Sequence, residues 1–300
     1  MSLTPLLTLR EACALLAARA AGASAITATL DLGLTTAPVQ TLAEAWHWQG
    51  QAFPYPADCR SRTIYHWSGA AFEPVARYTS ALFKLVPTDW GPPTFEIDGV
   101  KMLPSARLSP YADAGQKVAL VEPRGKTVLD TCGGLGYFAA WCLRGGAARV
   151  LSFEKSADVM WLRSLNPWSP DSAWQPPPGA ALQFTHGDIA ERISALPDRS
   201  VDAVLHDPPR FALAGELYSQ AFYGQLARVL RPGGHLFHYT GAPNSVSRGR
   251  RLAQEVSARL RAAGFAAAIH GDGVLARAGL RDARPRRARV RDARGTVPRR

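Results

Sequence analysis

Long hydrophobic runs are absent. No stretch among the 300 residues approaches the ~20 apolar positions that a membrane-spanning helix requires, and the first residues carry neither the basic start nor the apolar centre of a secretory signal. A cytoplasmic location without membrane association is therefore expected. Cysteine is scarce as well. Cys13, Cys59, Cys132 and Cys142 form no CxxC pair and have no histidines at ligand spacing, which argues against a zinc site or a disulfide framework and predicts reduced thiols and no structural metal. Lysine is scarcer than arginine by five to thirty, a compositional bias that deprives arginine richness by itself of meaning.

The net charge of +11 is unevenly spread. Arg277 to Arg300 holds ten arginines against two aspartates, a local +8, so the body of the chain carries only +3. This tail has almost no large apolar residue and is expected to be disordered, either a solvated extension or an arm making weak nucleic-acid contacts.

With 47% hydrophobic and 20% charged residues, the chain is long enough for one α/β domain and a smaller appendage. Leu9, Cys13, Leu16 and Ala20 recur at helical spacing, and Thr8 with Glu11 forms a capping-box pattern, so an amphipathic helix opens the protein. Strand-like runs then alternate with turn signals: Ile26–Leu32, Thr63–Trp67, Ala81–Val86 and Thr94–Ile97. Residues 1–103 read as this helix plus a small, mostly β module. Its tryptophans Trp46, Trp48, Trp67 and Trp90 fit packing aromatics or a base-stacking platform.

From Thr127 the pattern alternates strand and helix, predicting a doubly wound, mostly parallel seven-stranded sheet over residues 104–277. Expected strands are Thr127–Asp130, Arg149–Glu154, Leu182–His186, Ala203–His206, His235–Tyr239, Ala266–His270 and Gly273–Ala276. Between them fall helices over Gly136–Leu143, Ala157–Leu165, Tyr218–Leu230 and Val246–Ala263. The stretch from Asn166 to Gly179, rich in proline and tryptophan, reads as an insertion loop.

The chemistry concentrates at strand ends. Val128-Leu129-Asp130-Thr131-Cys132-Gly133-Gly134-Leu135-Gly136-Tyr137 lies where a strand gives way to a helix, the place where a doubly wound sheet binds its ligand. Glycines let backbone approach a bound molecule, and Glu154, closing the next strand, is placed to accept ribose hydroxyls. Cys132 stands where a GxGxxG pattern needs its first glycine, which argues against a dinucleotide fingerprint. Gly187-Asp188 follows the third strand, Asp207-Pro208-Pro209-Arg210 the fourth, and Arg231-Pro232-Gly233-Gly234 turns into the fifth.

These four stations together resemble the class I S-adenosylmethionine-dependent methyltransferases, with a Rossmann-like fold, from about Val118 to Arg277. The run from His206 through Arg210-Phe211 and Ala214-Gly215-Glu216-Leu217-Tyr218-Ser219 to Tyr239, with Asn166-Pro167-Trp168-Ser169, is similar to predicted methyltransferases known mainly from archaeal genomes. Leu30–Leu34, Lys84–Pro87 and Gly99-Val100-Lys101-Met102 match the same family.

The resemblance implies S-adenosyl-L-methionine as cofactor. Asp130 would orient the glycine loop and face the cofactor's amino-acid end, Gly134 and Gly136 would contact its methionine moiety, Glu154 would bind its ribose and Asp188 with Ile189 its adenine, with Cys132, Tyr137 and Lys155 as further cofactor-binding residues. Asp207 and Pro208 would accept hydrogen bonds from a target nitrogen. Arg210 stands where amino-group methyltransferases carry an aromatic ring, which weakens the case for a flipped base; it suits pairing with a carboxylate or phosphate, or a surface ion pair. The acceptor, a small molecule or RNA, is not specified. His206 and His238 read as structural histidines.

The segment from Gly215 to Gly234 also resembles polyamine aminopropyltransferases, which use decarboxylated S-adenosylmethionine but need further acids for a polycationic amine. A third reading is a nucleotide- or RNA-binding protein without turnover.

Overall fold

The computed structural model describes residues 4–170, 179–241 and 248–279. The arginine-rich tail from 280 onward, part of the insertion loop and the start of the last expected helix lie outside the described residues.

Helix α1 (Leu9–Ala20) opens as its capping box dictates, with the Thr8 side chain accepting from the Arg10 N–H and Glu11 reaching back to the Thr8 N–H. The face it buries differs from the expected one: Ala12, Leu15 and Ala18 pack inward, while Leu9, Cys13 and Leu16 are exposed. Small side chains on that face let the helix lie close to the strands beneath it.

Three small antiparallel sheets complete the N-terminal module. Leu6–Leu7 pairs with Tyr65–Trp67, which pairs with Phe72–Pro74. Ala25–Ala28, Ala37–Thr41, Ala45–Trp48 and Gln51–Pro54 form one meander, and Ala76–Tyr78, Leu82–Val86, Thr94–Ile97 and Val100–Lys101 another. The first expected strand stops at Ala28 instead of Leu32 because Asp31 takes over the backbone: its carboxylate accepts from Thr29 Oγ1 (2.9 Å) and the Thr35 N–H (3.0 Å), and Leu32 turns to φ +55°. Trp46 is fully buried and stacks on Phe53 at 4.6 Å, so it packs the module's core; Trp90 is exposed.

The α/β domain begins with helix α2 (Pro110–Ala119), started by the Ser109 hydroxyl accepting from the Ala112 N–H and by Pro110 at the first position. Seven strands follow: β1 (Thr127–Asp130), β2 (Arg149–Glu154), β3 (Ala181–His186), β4 (Val201–His206), β5 (Leu230–Tyr239), β6 (Phe265–His270) and β7 (Gly273–Ala278). Their order is β3-β2-β1-β4-β5-β7-β6, parallel except for β7, which runs antiparallel to both neighbours. β5 starts earlier than its expected His235, because Leu230 already pairs with Val201 and the Arg231–Gly234 stretch forms an irregularity within the strand.

Alternation sorts the strand residues onto two faces. Val128, Ala203 and Leu205 join a core covered by α2, α3 (Tyr137–Arg144) and α4 (Ala157–Ser164); Leu129, Val204 and Leu236 join one covered by α5 (Gln220–Val229) and α6 (Arg248–Ala262). The first core also takes in Leu32, Ile64, Phe83, Leu85 and Phe95, so the N-terminal module shares its interior with the sheet. Tyr137 Oη donates to the Pro93 carbonyl (2.8 Å) and Trp168 Nε1 to that of Leu32 (3.0 Å), fixing the two parts together.

Candidate functional site

After β3 the chain returns to the other side of β1 to form β4, so the switch point of the sheet lies between β1 and β4. Loops leaving the carboxyl ends of these two strands splay apart and leave a crevice. A cavity of about 610 Å³ lies there, lined by Thr131 and Cys132 after β1, by Glu154 and Lys155 after β2, and by Gly187, Asp188 and Ile189 after β3. Pro209, Arg210 and the stretch from Ala212 to Leu217 close a second side. Ile97, Val100 and Met102 of the N-terminal module close a third.

The glycine loop is held from both ends of its peptide planes. The Gly134 N–H donates to Glu154 Oε2 (2.9 Å), and the Gly134 carbonyl accepts from Arg163 Nε (2.9 Å) and Nη2 (2.6 Å). Glu154 Oε1 meanwhile accepts from the Ser156 N–H (2.8 Å), so one carboxylate sets both the loop and the start of α4 while lining the cavity. Gly136 caps α3 at φ +80°, and a Cβ there would stand 2.9 Å from Pro170 Cδ. Gly136→Ala should therefore destabilise the protein by about 1–3 kcal/mol, lowering its Tm by roughly 3–8 °C in a thermal melt; an unchanged Tm would show that the loop has room to move.

Two further carboxyls adjoin the cavity without lining it. Asp130 is fully buried; its Oδ2 accepts from Ser152 Oγ (2.8 Å), while Oδ1 has no hydrogen-bond partner among the described residues. Burial pushes its pKa up to about 7, against the Ser152 hydrogen bond and the Arg163 charge, with Glu154 and Asp207 adding to the rise. Asp207, immediately after β4, is pushed by burial up to about 6, with Lys117 pulling it down and Asp113 and Asp272 adding to the rise.

Lys117, on α2, is a buried cation close to Asp207. Its Nζ lies 2.7 Å from Asp113 Oδ2, 3.6 Å from Asp272 Oδ2 and 3.7 Å from the centroid of the Tyr239 ring. Burial alone would depress its pKa; the fields of Asp207, Asp113 and Asp272 outweigh that and hold it above the ordinary value.

Of the residues singled out in the sequence, Cys132, Glu154, Lys155, Asp188, Ile189 and Arg210 line the cavity. Asp188 Oδ1 also accepts from the Ala190 N–H (2.8 Å) as an N-cap, and its Oδ2 lies 2.6 Å from Lys155 Nζ. Asp130, Gly134, Gly136, Asp207 and Pro208 stand outside the lining. Tyr137 is buried, its ring edge-on to Tyr111 and its hydroxyl on Pro93.

The two histidines are enclosed. His206 Nδ1 lies 2.7 Å from Thr131 Oγ1 and its Nε2 3.1 Å from the Leu217 carbonyl; His238 Nε2 lies 3.0 Å from Tyr223 Oη. Burial drives His206 down to about 4, and burial with the neighbouring His206 pushes His238 well below its ordinary value, so both are neutral at pH 7. Sequence reasoning did not find Asp113, Lys117, Asp272 or the wall residues Ile97 and Thr131. Ser109-Pro110 signals the start of α2, and the Gly99–Met102 run had been singled out without a role.

Residues 152–269 match the model of a family described as S-adenosyl-L-methionine-dependent methyltransferases. The chain is 44% identical over 184 residues to an uncharacterized protein of Methanocaldococcus jannaschii, and the alignment spans 61% of each. It is 37% identical over 108 residues to polyamine aminopropyltransferase 2 of Streptomyces coelicolor, covering 35% of this chain and 18% of that one. In fold it is similar to a spermidine synthase solved with the transition-state analogue AdoDATO, with a TM-score of 0.52, 14% identity and coverage of 68% and 72%.

Proposed function

We propose, from the premise that its α/β domain belongs to the class I S-adenosylmethionine-dependent methyltransferase superfamily, that this protein transfers a methyl group from S-adenosyl-L-methionine to a nitrogen of its acceptor. The observation that carries the reading is the switch-point cavity bordered by Cys132, Glu154 and Asp188, with the buried, half-satisfied carboxyl of Asp130 behind it. A sulfonium and an ammonium are cations, and the carboxyls of Glu154 and Asp188 in the lining, with Asp130 close behind it, favour them electrostatically. The residues present fit the cofactor: Glu154 suits the ribose hydroxyls, Asp188 and Ile189 the adenine, and the loop from Asp130 to Gly134 the amino-acid end.

When bound, S-adenosylmethionine supplies an electrophilic methyl carbon on a cationic sulfur. That carbon would be open to displacement by the acceptor nitrogen's lone pair, with the S–C electron pair leaving on sulfur. The proton lost from nitrogen passes to Asp207, whose pKa of about 6 leaves it ionised yet able to accept. The rest of the protein's task is to hold nitrogen and carbon in line and keep water out, which the apolar wall of Ile97, Val100, Met102 and Leu213 serves. Incubation with methyl-tritiated S-adenosylmethionine and separated pools of small amines, RNA and protein should label one pool; label in none of them would count against turnover.

Cofactor affinity should depend on pH. In the free protein burial raises Asp130 to about 7, and a bound cation favours its ionised form, so binding should tighten about tenfold between pH 5 and 7.5 and release a proton. S-adenosylhomocysteine, with a neutral sulfur, should show a shallower profile in the same calorimetric titrations; equal slopes would oppose a sulfonium held near Asp130. Folding stability is a poorer gauge. The raised carboxyls stabilise the fold below their unfolded pKa of 3.8, and this is lost as pH climbs through 6 and 7; the depressed histidines stabilise it above 6.5, and this is lost as pH falls toward 4. The two trends oppose each other over the same window.

Aminopropyl transfer is the second reading, favoured by the gathering of Asp113, Asp207 and Asp272. A clear preference for decarboxylated S-adenosylmethionine over the intact molecule would establish it and displace methyl transfer.

A further inference from the structure

We propose that Lys117 is a specificity-determining residue, a cation tethered to the chain that fills the carboxylate-and-aromatic cage beside Asp207 and closes it to diffusible polyamines. The proposal rests on the methyl-transfer reading and narrows its acceptor to a molecule that brings one nitrogen to Asp207 without a second ammonium.

The cage is assembled from four parts of the chain. Asp113 and Lys117 are one helical turn apart on α2, Asp272 lies in the turn between β6 and β7, Tyr239 ends β5 and Asp207 follows β4. An alkylammonium held against carboxylates and over an aromatic face is how proteins recognise free amines. Here that ammonium is the end of a lysine only 4% exposed. A buried charge of this kind persists only when paired, and Lys117 is paired with Asp113 at 2.7 Å and Asp272 at 3.6 Å. It also leaves Asp207 a nearby positive charge, so a second cation arriving there meets repulsion and an occupied cage.

Shortening the side chain should vacate the cage. In calorimetric titrations of the 300-residue chain, the wild type is expected to show no saturable binding of putrescine or n-butylamine. Lys117→Ala is expected to bind both at least tenfold more tightly and to gain Tm with n-butylamine but not with n-butanol. Lys117→Met, which keeps the alkyl volume without the charge, should gain nothing. If Lys117→Ala does not fold alone, n-butylamine added during refolding should restore its folded circular-dichroism spectrum. Saturable putrescine binding by the wild type, or no gain of amine binding or amine-dependent folding in Lys117→Ala, would overturn the proposal. S-adenosylmethionine binding by the wild type, measured in parallel, keeps this outcome separate: its loss would sink the methyl-transfer reading and leave the cage result standing.

Discussion

Asp207→Ala is expected to lower methyl transfer by about two to four orders of magnitude, the range attributable to a positioned proton acceptor, while the Kd for S-adenosylmethionine changes no more than a few-fold. The split follows from position. Asp207 stands outside the cavity lining, just past the end of β4, where its field reaches Lys117, Tyr218 and Tyr239. Asp207→Asn should be nearly as inactive, since the amide keeps the shape but cannot take the proton. A single-turnover assay on the labelled acceptor pool checks this, with cofactor affinity measured on the same preparations. Activity within threefold of wild type in both variants would remove Asp207 from the chemistry.

Glu154→Ala is expected to weaken S-adenosylmethionine binding by about a hundredfold, or roughly 3 kcal/mol at 1.4 kcal/mol per decade. Two effects combine in that figure. The variant loses the acceptor expected for the ribose, and it frees the Gly134 and Ser156 N–H groups that the carboxylate now holds at 2.9 and 2.8 Å. Hydrogen bonds to a charged group contribute about 1.5–3 kcal/mol each, so the loss is large even if part of the loop stays in place. Glu154→Gln keeps one acceptor oxygen and should lose only about tenfold. Calorimetry with S-adenosylmethionine measures both variants, and an affinity within threefold of wild type for Glu154→Ala would show that the ribose is held elsewhere.

The parts of the structure that a sequence displays most openly are those built from near neighbours. Alternation and strand-end glycines marked β1 through β7 to within a few residues, except that β5 begins five residues before its expected His235, because Arg231–Gly234 reads as a turn and instead forms an irregularity within the strand. Thr8 and Glu11 marked the start of α1, although its buried face was not the one suggested by its larger side chains. The glycine loop and Glu154 were legible because a parallel strand-to-helix turn carries its own signature at fixed spacing.

What stayed hidden was long-range. Lys117 and Asp272 are 155 positions apart in the chain and meet only because α2 packs against the face of the sheet beside the β6–β7 turn. The cavity wall of Ile97, Val100 and Met102 comes from a hairpin in which these apolar residues carry no chemistry of their own, and its role depends on the core that the N-terminal module shares with the sheet. Periodicity and motif spacing are blind to such contacts, and a buried lysine is invisible until the helix carrying it is docked.

Titrating the full chain with S-adenosylmethionine, its demethylated product and its decarboxylated analogue tests the central claim most directly. The account predicts saturable binding of S-adenosylmethionine, tighter than that of the decarboxylated analogue and strengthening as pH rises from 5 to 7.5. Absence of measurable affinity for all three, at every pH in that range, would contradict it.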